Sequence, residues 1–359
     1  MAIFTLGFLV TRFEHEQAYF TNVAKAAIDE KIECVRFQPD DIDLSLNMIS
    51  CLRFNTKSMS WSPSSESIPP FIYDRCFYGQ DRASFIQKKL VQLLKNKPEI
   101  TFLGHGLPNK WSLYTSLKRT NVSTLLPETI LVQNESVVFD YLSKENACML
   151  KPLSGANGTG IVTIHKRDEQ FIFFYSTNKQ SYHRKNSAKR VVSRIVKQKR
   201  YILQPLLPLQ TKENKPFDLR LFVQKDEHGK WCVRGKAIRI GRKNSFVSNL
   251  SKGGTIHDFK DWLQTISLPK RQILMENIQS MLATLLPILD QHYEPLFEIG
   301  IDVGIHLQDA SIWIIDINSK PGRKIVYETE PHKQMEIFKA PLLYAKFLRN
   351  EQTSVKDGM

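Results

Sequence analysis

The run Phe297-Glu298-Ile299-Gly300-Ile301-Asp302, followed by Ile312-Trp313-Ile314-Ile315-Asp316-Ile317-Asn318-Ser319-Lys320-Pro321-Gly322, constrains this chain more than any other segment. Both stretches are rich in isoleucine and alternate with polar residues, which predicts two adjacent strands with a period of two. That period puts Glu298 and Asp302 on one face of the first strand, and Asp316 and Asn318 on one face of the second. Ile299, Ile301, Val303, Trp313, Ile315 and Ile317 are expected to face the other way, into a core. A rigid sheet face carrying carboxylate and amide oxygens suits magnesium, a small hard cation that takes a few such ligands and completes its octahedron with water and phosphate. Taken alone, these segments fit equally well a half-exposed hairpin whose polar residues meet water. A phosphate-binding loop upstream moves the reading towards a metal-nucleotide site.

That loop is Lys151-Pro152-Leu153-Ser154-Gly155-Ala156-Asn157-Gly158-Thr159-Gly160-Ile161. A lysine at a strand end opens into a turn in which Gly155, Gly158 and Gly160 let successive backbone N–H groups converge on phosphate oxygens, beside a compact positive charge. Gly158-Thr159-Gly160 alone could equally be a hairpin turn. Several nucleotide folds are excluded by spacing. No glycine loop ends in Gly-Lys-Ser/Thr, and the glycine order does not match the dinucleotide fingerprint. A protein kinase places its lysine after the glycine loop, whereas Lys151 precedes it, and no kinase catalytic loop follows.

The chain has 359 residues, which predicts two or three lobes, and 42% hydrophobic with 24% charged residues is ordinary for a soluble enzyme. No transmembrane segment is evident, and the apolar start Met1 to Val10 reads as a first buried strand of a cytoplasmic protein. Cys34, Cys51, Cys76, Cys148 and Cys232 are widely spaced, form no paired metal-binding pattern, and read mostly as reduced core filler. The net charge of +14 predicts an anionic partner: a nucleotide, an anionic polymer, or, with no recognised motif to support it, nucleic acid.

Helical stretches are expected over Gln17 to Lys31 and Asp81 to Leu94, with Phe71 to Tyr73 a strand and Ser60 to Ser65 a loop between them. Further on come a strand at Ile130 to Val132, a helix at Glu135 to Ser143 and a strand at Cys148 to Lys151. Lys179 to Arg200 is strongly basic and contains no Asp or Glu; a solvated helix face and an anion-facing segment both account for it. Tyr201 to Gln204 and Phe217 to Val223 read as strands, the second with Asp218 and Arg220 on one face. Arg271 to Leu289 is amphipathic, and Pro287 is expected to end or kink that helix.

The ordered set of lysine, glycine loop, hinge strand with Gln204, Asp-x-Arg strand, Asn249-Leu250-Ser251-Lys252-Gly253-Gly254, Glu-x-Gly-x-Asp and Asp-x-Asn resembles the ATP-grasp superfamily, particularly RimK-type glutamate ligases. More closely it resembles the YheC/YheD family of endospore coat-associated proteins, through an N-terminal lobe that includes Ile72-Tyr73-Asp74-Arg75. The resemblance implies an α+β fold: an ATP-grasp domain over residues 106–350, preceded by a small α/β lobe over 1–105. Within the ATP-grasp domain, an ATP-covering subdomain at about 130–204 and a metal-binding subdomain at about 205–345 would clasp the nucleotide. By the same resemblance, Lys110 and Lys151 are the nucleotide-binding lysines, Gln204 borders the adenine, and Asp302, Asp316 and Asn318 hold Mg2+, with Mn2+ as an alternative occupant. Arg220 and Arg239 would face the phosphates or the acyl-phosphate intermediate.

The implied reaction joins a carboxylate to an amine with release of ADP and phosphate, on unidentified substrates for which an anionic polymer is one candidate. The rival is a nucleotide-binding scaffold for coat or wall polymer that does not ligate. Asp316 is one methylene shorter than the glutamate usual in RimK-type ligases, which bears on the number of metals. Lys320 and Arg323 are expected at the mouth of the site, meeting an anionic substrate. His165, His183, His257 and His292 have no ligand spacing, and Trp111 and Trp313 read as packing residues.

Overall fold

The computed structural model describes residues 4–79, 81–155, 158–175, 179–243, 248 and 253–357. Three sheets follow one another along the chain. The first holds β1 (Phe4–Leu9), β2 (Ile32–Phe37), β3 (Ile42–Asp43), β4 (Met48–Asn55), β5 (Ser60–Ser67), β6 (Phe71–Asp74) and β7 (Thr101–Phe102), in the order β3-β4-β2-β1-β6-β7 with β5 on β4. β1 pairs in parallel with β2 and β6, and α1 (Gln17–Ala26) and α2 (Arg82–Lys95) supply crossovers. The second holds β8 (Ile130–Val132), β9 (Ala147–Pro152), β10 (Val162–Arg167), β11 (Gln170–Tyr175), β12 (Gln180–Arg184) and β13 (Tyr201–Pro205), in the order β12-β11-β10-β9-β13-β8. The third holds β14 (Phe217–Lys225), β15 (Trp231–Ile240), β16 (Thr255–Asp258), β17 (Glu298–Ile305) and β18 (Ile312–Asn318), in the order β16-β15-β14-β17-β18.

α3 (Lys110–Leu117) connects the first two sheets. α4 (Glu135–Lys144) and α5 (Lys185–Gln198) cover one face of the second, where Val138, Leu142, Ala188 and Val192 meet Cys148, Leu150 and Ile164. α6 (Phe259–Gln264) and α7 (Leu268–His292) cover the third, with Leu274, Ile278, Met281 and Leu285 on Leu219, Ile299 and Ile301. After β18 the chain forms α8 (Lys324–Thr329) and α9 (Gln334–Asp357), and Ile337, Phe338 and Leu342 join the core under β1 with Phe8, Phe20 and Tyr73. The two ends of the chain thus share one core.

Three local expectations are corrected. Ser60 to Ser65 belongs to β5, not to a loop; the strand sits outside the main path of its sheet, where Pro63 removes no inner-ladder donor and Trp61 packs on Phe54. α7 does not end at Pro287 but runs on to His292, because buried Leu285, Leu286 and Leu289 hold that last turn to the core despite the missing N–H. The third lies in β18. Asp316 pairs with Asp302, but Ile314 pairs with Val303, so Ile315 is an extra residue at a β-bulge. The bulge reverses the alternation: Ile312, Ile314 and Ile317 are buried, while Trp313 and Ile315 leave the expected core face.

No helix among the described residues is long and apolar enough to cross a membrane. All five cysteines are free, and Cys34, Cys51, Cys76 and Cys148 are buried.

Candidate active site

The second and third sheets face each other across a cavity of about 600 Å³ lined by Lys110, Lys151, Gln204, Arg220, Asp302 and Asp316, among others. β9 alternates, sending Cys148 and Leu150 into the core and Met149 and Lys151 towards the cavity. The glycine loop follows at once. Gly155, Gly158 and Gly160 have φ of 143°, 68° and 81°, backbone that other L-residues rarely adopt. Ala156 and Asn157, like Asn249 to Lys252, lie outside the described residues. Gln204 stands opposite Met149 on β13, and its Nε2 donates 2.8 Å to Thr129 Oγ1, which donates 2.9 Å to Pro127 O. The Pro-x-Thr turn therefore orients the Gln204 amide beside the cavity-lining run Pro205 to Pro208.

On the third sheet, register brings the charges together. Arg220 pairs with Asp302, Asp218 with Arg239, Asp302 with Asp316, and Gly300 with Asn318. Arg239 grips Asp218 with two bonds of 2.7 Å and also reaches Asp302 Oδ2 at 2.9 Å. Arg220 Nε lies 2.8 Å from Asp302 Oδ1. Lys110, at the start of α3, pairs with Asp316 through its Nζ. Burial works against the charge on Asp302, but Arg220 and Arg239 outweigh it and hold the carboxyl below its ordinary pKa. Arg220 is itself lowered, by burial and by its neighbour Arg239. Burial, helped by the nearby Lys110 charge, brings Lys151 down to about 8. Three carboxylates (Asp218, Asp302, Asp316) face four cations (Lys110, Lys151, Arg220, Arg239), an excess of one positive charge that suits a polyphosphate.

The expected metal set is two carboxylates and one amide on neighbouring strands. Among the described residues, no three His, Cys, Asp or Glu side chains gather as a metal cluster. Asp302, Asp316 and Asn318 still fit magnesium bound mostly through phosphate and water: all three present hard oxygen donors to the cavity, although Asp302 Oδ1 is also met by Arg220 Nε at 2.8 Å.

Two expected site residues lie elsewhere. Glu298 shares a strand face with Asp302 but is 3% exposed and turns into a junction with the first sheet. Tyr73 Oη and Arg75 Nη1 each donate 2.6 Å to its Oε1, and Gln224 Nε2 donates 3.0 Å to its Oε2. Arg323 is likewise buried, donating 2.7 Å to Glu16 Oε1 with its guanidinium 3.6 Å from the centroid of the Tyr19 ring. It joins the first sheet to the segment after β18 and is not among the residues that line the cavity. Lys320 does line the cavity, and its Nζ donates 2.6 Å to Asp74 Oδ1. Glu16, which bonds Arg75 at 2.6 and 2.8 Å and lines the cavity, was not singled out from the sequence. Its φ of 53° and its partners 59 and 307 residues away leave no local pattern to find it by. His165 also lines the cavity.

Residues 99–348 match the family described as YheC/D like ATP-grasp. This chain belongs to that family. It is 36% identical over 354 residues to the endospore coat-associated protein YheC of Bacillus subtilis (strain 168), covering 97% of each chain. Its ATP-grasp fold is shared with solved structures of much lower identity. The ADP complex of purK, N5-carboxyaminoimidazole ribonucleotide synthetase, superposes with a TM-score of 0.56 at 13% identity, over 95% of this chain and 77% of that one. The ATP-grasp ligase PsnB, complexed with minimal precursor, Mg and ADP, gives 0.53 at 12% identity, over 95% of this chain and 98% of that one.

Proposed function

We propose that this YheC/D-like protein is a magnesium- and ATP-dependent carboxylate–amine ligase. The observation that carries the reading is the convergence of Lys110, Lys151, Arg220 and Arg239 on Asp302 and Asp316 inside one cleft between two sheets. The glycine loop and Lys151 take the phosphates, and Gln204 with the run Pro205 to Pro208 borders the adenine. Asp302, Asp316 and Asn318 hold magnesium, which neutralises phosphate charge and polarises the γ-phosphoryl group when bound. ADP and magnesium in PsnB, and ADP in the purK protein, support this use of the fold.

In the reaction, a substrate carboxylate oxygen attacks the γ-phosphorus, the bond to the β-phosphate oxygen breaks, and ADP leaves. The amine nitrogen then attacks the acyl carbon, phosphate departs with the bonding pair, and the nitrogen loses a proton. No side chain forms a covalent bond. Arg220, which lines the cavity, takes an oxygen of the transferred phosphoryl group, while Arg239 holds Asp302 in place. Lys110 exchanges Asp316 for phosphate as nucleotide enters. The coat association in the name of the Bacillus subtilis relative is carried over as part of the same proposal.

One observation favours the non-ligating scaffold: Asp302 and Asp316 are already balanced by Arg220, Arg239 and Lys110 before any metal enters. A screen of amino acids, peptides and wall fragments for ADP release, with product masses, separates the two. A mass gain equal to condensation, requiring both ATP and magnesium, supports ligation; nucleotide binding with no ADP release under any substrate selects the scaffold.

A further inference from the structure

The cleft leaves unused the strongest charge feature of the chain. Nine Lys and Arg side chains between 179 and 200 are exposed, with no Asp or Glu among them. Six of them, Arg184, Lys185, Lys189, Arg190, Arg194 and Lys197, follow the outer side of α5, while Ala188 and Val192 bury the inner side. Among the described residues none of the nine forms an ion pair, whereas Lys110, Arg220 and Arg239 in the cleft all do.

This arrangement works against the helix that carries it. α2, α3, α4 and α6 begin on Asp81, Asn109, Asn134 and Asp258, whose side chains accept first-turn N–H groups. α5 begins on Arg184, with no side-chain cap and no acid in its first turn, features shared with α1, α7 and α8, and in addition Lys185 in that first turn opposes the helix dipole. Lys185 with Lys189 and Arg190 with Arg194 are like-charged pairs four residues apart, which repel. Stability alone would select neither feature. The basic strip also ends at Arg200, whose carbonyl accepts 3.0 Å from Leu153 N–H at the entry to the glycine loop.

We propose that the outer face of α5 docks a linear phosphate polymer without nucleobases, held by charge density along the helix. α5 itself has no aromatic residue on which a base could stack, exposed Tyr182 lying on β12 before it, and the residues between its cations are small and polar or face the core. Lys185 to Lys197 spans about 18 Å of helix axis, so the face matches several consecutive phosphates and not one. The inference does not rest on the ligase reading, because docking is read without nucleotide.

The test uses the full chain and long-chain inorganic polyphosphate as probe, titrated at several salt concentrations. A variant combining Lys185→Gln, Lys189→Gln, Arg190→Gln and Arg194→Gln is compared with a charge-matched control, Lys57→Gln, Arg82→Gln, Lys88→Gln and Lys118→Gln. Wild type and control are expected to bind alike and pyrophosphate to compete poorly. The α5 variant is expected to bind at least ten-fold more weakly, with a log–log salt slope shallower by about 3, roughly 0.7 per lost contact. An unchanged circular dichroism spectrum and melting temperature show that the variant is folded. No binding by wild type, or equal loss in the control, overturns the proposal. So does binding of single-stranded DNA ten-fold tighter than polyphosphate of equal phosphate number, which would assign the face to nucleic acid.

Discussion

Gly300 lies beneath the guanidinium of Arg220: a Cβ at position 300 would fall 2.3 Å from Arg220 Nη1 and 2.8 Å from Pro321 Cβ. A bare backbone there lets Arg220 lie along the acidic strand and reach Asp302 Oδ1 at 2.8 Å. The glycine of the Glu-x-Gly-x-Asp run therefore serves packing around the Arg220 guanidinium.

Gly300→Ala is expected to displace Arg220 and destabilise the fold by about 1–3 kcal/mol, the usual range for overpacking. The upper part of that range applies, because Arg220 can swing aside but the rigid Pro321 ring, 2.8 Å from the added Cβ, cannot. ATP-dependent turnover should fall by more than ten-fold, since the arginine no longer points where phosphoryl charge develops. Urea melts and ADP release measured on the same preparation check this; unaltered turnover would remove Arg220 from the proposed chemistry.

Asp316→Asn and Asn318→Ala address the proposed metal set. Both side chains are partly exposed to the cleft, so the melting temperature in the absence of ligand should change by only a few degrees. Wild type should gain roughly 2.7 kcal/mol of stability from Mg-ATP at about a hundred times its dissociation constant. Most of that gain should disappear in either variant, and turnover should fall about a hundred-fold. Thermal melts with ATP alone, magnesium alone and both together provide the comparison; variants that keep the full Mg-ATP stabilisation would refute the assignment.

Elements governed by local pattern were legible in the sequence. The alternation of β9, the glycine loop after it and the isoleucine-rich β17 each follow from neighbours a few residues away. The bulge at Ile315 was not, because an inserted residue is visible only in the pairing with Val303 across the ladder. The buried junction was not legible either. Glu298 has the same spacing from Asp302 as a second metal ligand would, and it is Arg75, 223 residues away, together with Arg323 that turns it into the carboxylate of a buried ion-pair junction. Period-two reasoning assigns a side to a residue but does not say what covers that side, and here one strand face serves the cleft at Asp302 and the lobe junction at Glu298.

Lys151, brought down to about 8 chiefly by burial, is expected to make nucleotide affinity depend on pH above neutrality. A bound phosphate raises the lysine pKa, so above about 8 the free protein must take up a proton to bind ATP. Affinity should be flat from pH 6 to 7.5 and then fall by up to ten-fold per pH unit until the pKa of the bound state is reached. Calorimetry at pH 8.5 in two buffers of different ionisation enthalpy should report net proton uptake, and Lys151→Arg should abolish the pH dependence. Proton uptake that survives Lys151→Arg would assign the titration to another group.

Glu16 gives the acid limb of stability its sign. Burial would raise its pKa, but Arg323 and Arg75 outweigh that and lower it from 4.5 to about 2. A carboxyl depressed by folding contributes stability that is fully present above its unfolded pKa and is lost as pH falls through the folded value. The window for Glu16 therefore runs from about pH 4.5 down to about 2, with Asp74, lowered from 3.8 to about 2 by Lys320 and Lys95 against burial, adding to the same limb. Glu16→Gln should cost about 3 kcal/mol at pH 7, because it leaves Arg75 and Arg323 buried with Glu298 as their shared carboxylate. It should also flatten the loss of stability between pH 4.5 and 2. Urea melts at half-unit intervals from pH 7 to 2 measure both effects; parallel curves for wild type and variant would mean that Glu16 does not titrate with folding.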